Sequence, residues 1–361
     1  MIYSDNERAI IWLDSFSALT REQKLKIINV TKNPAAIFEN PSLIKECADE
    51  VVSEKFCDLL AASKDLCGGE SAVRALEKNG VVALTCMSDD YPEKLLSCGN
   101  PPLVIYCLGN ISLLNAEKSF SVVGSRKTLP EICAKAEEFS RELSENGVVV
   151  ITGLAEGADT AAIKGALPSG NVISVLPGGF KHVYPEYHRN LFGKIVENGL
   201  AVSEYPPDTV SKPYYFPDRN RLLAALSDGV LVCSAGKKSG TSYTADFASE
   251  YGKNVFAFPY TLGVPSGEGC NALIKEYALL CDSVEDIFLS LGISGKKKAD
   301  SVKLSEEEEK VFRCIKDGAE HIDLIIQKTG MKVFELSPLL TVLEIKKYVV
   351  KNPGNVYSAI K

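Results

Sequence analysis

FSVVGSRKTLP (120–130), VVVITGLAEGADTAAIKGAL (148–167) and NVISVLPGG (171–179) repeat one pattern. Three β-branched runs, Ser121–Val123, Val148–Ile151 and Val172–Val175, each end at a glycine-bearing turn, and amphipathic helical stretches separate them. Strands alternating with helices predict a parallel sheet wound with crossover helices. Turns at the carboxyl ends of such strands place helix N-termini where an anion can sit.

Working outward, the pattern continues on the C-terminal side. Strands are expected at 200–204, 229–234 and 254–258, helices at 185–197, 218–227 and up to Tyr251, with the Gly/Ser loop AGKKSGTS at 235–242. GCNALIKEYA (269–278) reads as a short helix, and SVEDIFLSLG closes the domain. On the N-terminal side, 81–87 and Leu103–Leu108 read as further strands. The expected class is α/β, an extended Rossmann-type doubly wound parallel sheet over residues 81–291, with five or six parallel strands.

Two smaller parts flank it. Residues 1–80 read as short helices broken at Asn33-Pro34 and Asn40-Pro41, with a capping-box-like start at Thr20 and Gln23, giving a small helical module of SAM or HhH type. Residues 292–303, with three consecutive lysines and no periodicity, read as a linker. Beyond it, Ser305 and Glu308 form a capping box ahead of three helices and a hairpin around Asn352–Asn355, a winged-helix pattern over 304–361. Its third helix is apolar and carries Pro338, a poor composition for reading bases, so protein contact competes with DNA readout there.

Bulk composition narrows the function. The 361 residues are 45% hydrophobic and lack any apolar run of membrane-spanning length. MIYSDNERAI at the start has no basic n-region, so a cytoplasmic protein is expected, with no membrane association. Eleven cysteines include no CxxC pair, and the three histidines (182, 188, 321) show no metal spacing, so free thiols and no metal are expected. The net charge of −7 gives no support for nucleic acid, yet residues 118–260 balance at 15 basic and 15 acidic side chains. The acidity lies outside the sheet domain, and a local basic site remains open.

Familiar cofactor and catalytic motifs are missing. VVGSRKTLP is not GxGxxG, no acidic residue follows the second strand, and neither GxxxxGK[ST] nor GxSxG occurs. No cofactor and no catalytic residue are expected. What the sequence offers is a set of anion-receptive turns. Gly124, Ser125 and Arg126 supply N–H groups, a hydroxyl and a guanidinium, and Ser239, Gly240 and Thr241 supply a second cradle. In FPDRNR (216–221), Arg219 and Arg221 fall in the expected first turn of a helix, where the macrodipole disfavours cations by about 0.3–1 kcal/mol. Asp218 offers one of them a structural partner. A phosphate backbone with a stacked base explains both, because Phe216 and Lys212 stand just before them.

YPEKLL (91–96), VVGSR (122–126), ITGLAEGADTAAIKGAL (151–167), VLPGG (175–179) with YPEYHRNL (184–191), SEYPP (203–207), FPDRNR, SGTSYTADFASEYGKNVFAFP (239–259) and GCNALI (269–274) occur in an order that resembles the DNA-processing protein DprA/Smf family. The resemblance covers roughly residues 90–290, and the flanking helical and winged-helix parts resemble the family's layout. It implies a homodimeric protein that binds single-stranded DNA and loads RecA recombinase onto DNA imported in natural transformation. By motif it points to Arg126, Lys212, Phe216, Arg219, Asn220 and Arg221 as DNA contacts. Four positions depart from the family's pattern: Ile163 stands for a histidine, Ser234 for a glutamate, and Tyr260 and Tyr277 for glycines.

Two other readings share the core. Nucleotide phosphoribohydrolases of the lysine-decarboxylase-like type resemble the chain at PGG, but their GT-x-x-E glutamate is Thr244 here, so the acid/base group is missing. A degenerate scaffold that binds only protein is the third.

Overall fold

The computed structural model describes residues 2–16, 19–31, 33–36, 54, 70–237, 239–293, 304–318, 320–346 and 348–359. Of the helical reading of residues 1–80, the stretch NPSLIKECADEVVSEKFCDLLAAS (40–63) lies almost wholly outside these residues, as does the linker at 292–303. The chain divides into two compact units, Met1–Gly295 and Lys296–Lys361.

The first unit is built on one nine-stranded sheet. Its core strands are β1 (Val82–Thr85), β2 (Val104–Gly109), β3 (Ser119–Gly124), β4 (Val149–Thr152), β5 (Val172–Leu176), β6 (Leu200–Ser203), β7 (Gly229–Ser234), β8 (Asn254–Ala257) and β9 (Leu279–Leu280). The order is β1-β2-β6-β5-β4-β3-β7-β8-β9. Strands β3 to β9 run parallel, and β2 pairs antiparallel with both β1 and β6. The sheet thus gains one short parallel strand, β9, that two leucines after a helix did not announce. The chain builds outward from β3 through β4, β5 and β6, then returns to the other side of β3 with β7. The crevice between the carboxyl ends of β3 and β7 is therefore the topological switch point, where ligands of open α/β sheets bind.

Strand side chains alternate between two cores. Val150 faces one, and Val149 and Ile151 the other. Helices α1 (Asp5–Asp14), α2 (Arg21–Thr31), α3 (Glu70–Lys78), α5 (Pro130–Glu145), α6 (Ala158–Ala166), α7 (Arg189–Asn198) and α11 (Val284–Ser290) have their packed residues in the first core. Helices α4 (Glu93–Leu96), α8 (Tyr215–Leu226), α9 (Thr241–Glu250) and α10 (Glu268–Glu276) pack theirs in the second. Continuous burial of β5 and β7 fits parallel strands covered on both faces. Pro130 opens α5 at its first position, where its missing N–H costs nothing.

The described N-terminal helices are fastened to the sheet by polar contacts. Tyr3 Oη accepts from the Ala83 N–H at 3.0 Å, and Lys24 Nζ lies 3.1 Å from Asp14, whose carboxylate accepts from Tyr106 Oη at 2.8 Å. Thr20 and Gln23 exchange capping-box bonds at 2.9 and 3.3 Å. Glu204, after β6, is buried between Arg21 (3.2 Å) and Arg221, which also donates to the Asn100 carbonyl at 2.8 Å. At the far end of α8, Lys253 Nζ donates to the carbonyls of Ala224, Ala225 and Ser227 at 2.8, 2.6 and 2.6 Å, capping the helix that carries the arginines.

The second unit holds α12 (Glu306–Lys316), α13 (Ile322–Thr329), α14 (Val333–Ile345) and a hairpin of β10 (Val349–Asn352) with β11 (Val356–Ala359). A bridge from His321 to Val356 adds a third short segment to the wing. Val311, Ile315, Ile325, Leu336, Leu340 and Tyr357 form its core. Ser305 and Glu308 cap α12, and Lys346 pairs with Glu308 at 2.7 Å. Among the described residues of both units, no helix is long and apolar enough to cross a membrane.

Removing one partner of a buried pair leaves the other charge uncompensated, at a cost of about 3–5 kcal/mol. Glu204→Gln is expected to lower the unfolding free energy by about 3 kcal/mol. Denaturant unfolding followed through Trp12, the chain's one tryptophan and buried in α1, measures it. In the winged helix, the Lys346 ammonium and the cap hold the Glu308 carboxyl below its ordinary 4.5. Its contribution is then complete above pH 4.5 and lost as pH falls through the lower folded value. The hydrogen-exchange protection factors of α12, taken relative to the intrinsic exchange rate at each pH, should fall on acidification, and Glu308→Gln should flatten that response.

A candidate anion and nucleic-acid interface at the switch point

The turn after β3 is held by close backbone packing. Ser125 N–H donates to the Ser234 carbonyl at 2.9 Å, tying the ends of β3 and β7 together. Gly157, at φ 74°, precedes α6, and a Cβ there would lie 2.5 Å from the Ser125 carbonyl oxygen. Only glycine lets the helix N-terminus come this close to the Ser125–Arg126 turn. Gly157 and Gly240 hold the N-cap positions of α6 and α9 and offer no side-chain cap of their own, although Ser239 Oγ accepts from the Thr241 N–H at 3.2 Å. Both helices begin at the same crevice.

Of the eleven residues singled out from the sequence, nine line one cavity of about 310 Å³ at this point: Gly124, Ser125, Arg126, Phe216, Arg219, Asn220, Ser239, Gly240 and Thr241. Lys212 does not reach it and stands exposed, its Nζ 5.8 Å from the ring centres of Tyr214 and Tyr215. Arg221 does not reach it either. Its side chain is 7% exposed and locked to Glu204 and Asn100, so its assignment as a DNA contact is corrected to a structural one. The reason is helical geometry. α8 begins at Tyr215, three residues earlier than expected, so neither arginine is in the first turn. Residues two apart on a helix point about 200° away from each other and cannot share a groove.

Arg219 is buried at 5% exposure yet lines the cavity floor. It donates to the Val175 carbonyl, and its Nε donates to Asn220 Oδ1 at 3.2 Å. Asn220 Nδ2 in turn donates to the Gly240 carbonyl at 3.1 Å. This chain of bonds spans the crevice from β5 to the start of α9. The Arg219 guanidinium and the Asp159 carboxylate both lie over Gly153, leaving no room for a Cβ. Burial raises the Asp159 carboxyl above its ordinary 3.8, while Arg219 and the N–H groups of Ala155 and Gly124 counteract it. Burial likewise lowers the Arg219 guanidinium, and Asp159 counteracts that. Asp159 carries no signal in the sequence beyond being one more acidic residue. Its role depends on Arg219, sixty residues away.

Arg126 is the exposed cation of the site. Its guanidinium lies 5.1 Å from the Phe216 ring centre and 5.9 Å from that of Tyr184, and it pairs with no carboxylate among the described residues. His188 Nδ1 is 2.9 Å from the Leu154 carbonyl oxygen and fixes the 184–189 loop. Thr244 stands in the cavity where glycosidic cleavage would need a carboxylate, and Asp159, the one acidic residue lining it, is 4% exposed and bonded to backbone.

The sequence model for DNA recombination-mediator protein A matches residues 82–292, and that for the DprA winged helix domain matches 295–355. The chain belongs to the DprA family. Protein Smf of Escherichia coli is 32% identical over 297 residues, 79% of each chain. The DNA processing protein DprA of Bacillus subtilis is 34% identical over 218 residues, 60% of this chain and 73% of that one. The X-ray structure of DprA from Streptococcus pneumoniae superposes with a TM-score of 0.68 at 30% identity, covering 80% of this chain and 98% of that one. DprA from Helicobacter pylori, whose structure describes a single-stranded DNA binding mode, superposes at 0.54 with 31% identity, over 58% and 95%.

The departures from the DprA pattern have local accommodations. Ile163 is fully buried in the α6 core, Ser234 Oγ donates to the Ser266 carbonyl at 3.0 Å, Tyr260 Oη to the Cys233 carbonyl at 2.8 Å, and Tyr277 Oη to Asp246 at 2.9 Å. None of the four lines the crevice.

Asp159→Ala should leave the buried Arg219 guanidinium without its counter-charge and the Ala155 and Gly124 N–H groups without an acceptor, lowering stability by about 3 kcal/mol. Asp159→Asn, which can still accept those bonds, should cost clearly less. Equilibrium urea unfolding of the two variants separates them.

Proposed function

We propose that the protein binds single-stranded DNA across the switch-point crevice, with Arg126 and Arg219 drawing phosphates to the turns that open α6 and α9 and Phe216 stacking on a base. The observation that carries this reading is Arg126, an exposed guanidinium with no carboxylate partner among the described residues, poised over an aromatic ring at the opening of a cationic crevice. Cation plus aromatic is how unpaired strands are held without sequence preference. A base must be unpaired to reach the Phe216 ring inside a concave site, which favours single strands over duplex. Ser125, Asn220, Ser239, Gly240 and Thr241 supply polar groups at the same mouth, and exposed Lys212 extends the positive surface outward. The Helicobacter relative's single-strand binding supports the same ligand class here.

Family membership supports the wider role: a recombination mediator that works in the cytoplasm, passes the strand to RecA recombinase and acts on DNA taken up in transformation. Self-association into a homodimer has a second support. The sheet ends at β9, where Leu279 and Leu280 are about half exposed (50% and 49%) on an open edge.

Arg126→Ala should weaken binding of an oligothymidylate about tenfold and reduce the salt slope by about one. Arg221→Met, although less stable, should bind as the parent does while folded. Removing residues 296–361 should leave most of the affinity. A fluorescence-anisotropy titration across a salt series checks all three. Unchanged affinity in Arg126→Ala would place the site elsewhere.

A further inference from the structure

A second recess of about 570 Å³ adjoins the switch-point cavity and shares Arg126, Ala155, Phe216 and Arg219 with it, so the two form one continuous crevice. Two tyrosines of the YPEYHRNL segment, Tyr184 and Tyr187, wall it while exposing 47% and 64% of their surface. Exposed tyrosines on a loop are ordinary taken singly. These two face a recess whose other wall carries the cation of the neighbouring site.

The loop holding them is firmly anchored. His188 is bonded to the Leu154 carbonyl, Val183 is buried, and Phe180 packs on Phe192 of α7 with ring centres 6.0 Å apart. Tyr184 meets Phe216 edge-on at 5.5 Å, and Tyr187 meets His188 edge-on at 4.8 Å. Rings fixed in this way lose little freedom when a base stacks on them. The charge balance also suits a polyanion, since Arg126, Lys181, Arg189 and Arg219 line the recess against Glu156 and Glu186. Lys181 is paired with Asp208 at 2.8 Å, whereas Arg189 bonds only the Lys181 carbonyl, at 3.2 Å, and meets no carboxylate among the described residues.

We propose that this recess is a second stacking subsite, in which Tyr184 and Tyr187 take the bases adjoining the nucleotide at the switch point and Arg189 takes a phosphate between them. The proposal rests on the single-strand reading above and extends it from one nucleotide to a short run. It also extends the path of the bound strand from the switch point toward the N-terminus of α7.

An abasic site scanned through an octathymidylate tests it, with affinities read by anisotropy. In the parent protein, abasic substitution at one or more positions beside the strongest one should cost roughly tenfold. Tyr187→Ala, and Tyr184→Ala with Tyr187→Ala, should lose the same factor with the intact strand and become indifferent to the abasic site at those positions. Tyr187→Ala guards against misfolding, because its ring is mostly in water. A tyrosine variant that binds the intact strand as the parent does, or that still discriminates the abasic strand, overturns the proposal. Weakening by Arg126→Ala with no effect of the tyrosines would overturn the subsite alone. Failure of the parent protein to bind any strand would overturn both readings.

Discussion

Arg219 lies at the floor of the crevice with its charge almost out of water, held by the Val175 carbonyl, by Asn220 and by the nearby Asp159 carboxylate. A lone charge in such surroundings is prohibitively costly, so its partners are part of the site's construction. Through Asn220 the guanidinium fixes the loop before α9, and through Asp159 it fixes the turn after β3. In a low-dielectric floor the same charge acts more strongly on a phosphate above it than a surface lysine could. Arg126 adds an exposed cation at the mouth of the same crevice.

Helix α8 serves two faces at once. Its Arg219 side builds the crevice, while its Arg221 side joins Glu204 and Arg21 beneath the N-terminal helices. Lys253 closes its C-terminal end. The helix that presents the crevice-lining groups is therefore the one that fastens the N-terminal helices to the sheet. Disturbing that fastening should be felt at the site through α8, even though no residue of α1 or α2 lines either cavity.

Much of the architecture was legible because the decisive signals are local. β-branched runs ending at glycine turns located β3, β4 and β5, and the Ser305–Glu308 pattern located α12 within a residue. The turns after β3 and before α9, which line one cavity, could be singled out for the same reason. What escaped was non-local or a matter of helical phase. The start of α8 at Tyr215 depends on packing against the sheet, not on a capping motif, and moving it removed the macrodipole argument for the two arginines. Their two-residue spacing already separates them by more than a right angle. Glu204, Arg221's partner, stands seventeen positions before it and joins only when β6 is laid beside β2. Tyr184 and Tyr187 looked like loop residues because nothing in their neighbourhood signals the recess that Arg126 and Phe216 share with them.

In the proposed complex, phosphates of an unpaired strand settle over the Gly124–Arg126 turn and the Ser239–Thr241 loop. A crystal structure with a short oligothymidylate bound is the most direct measurement. The expected result is phosphate density within hydrogen-bonding distance of Arg126 and of the turn that opens α6 or α9, with a base against Phe216. Density on another surface of the first unit or on the winged helix, with the switch-point crevice empty, would contradict it.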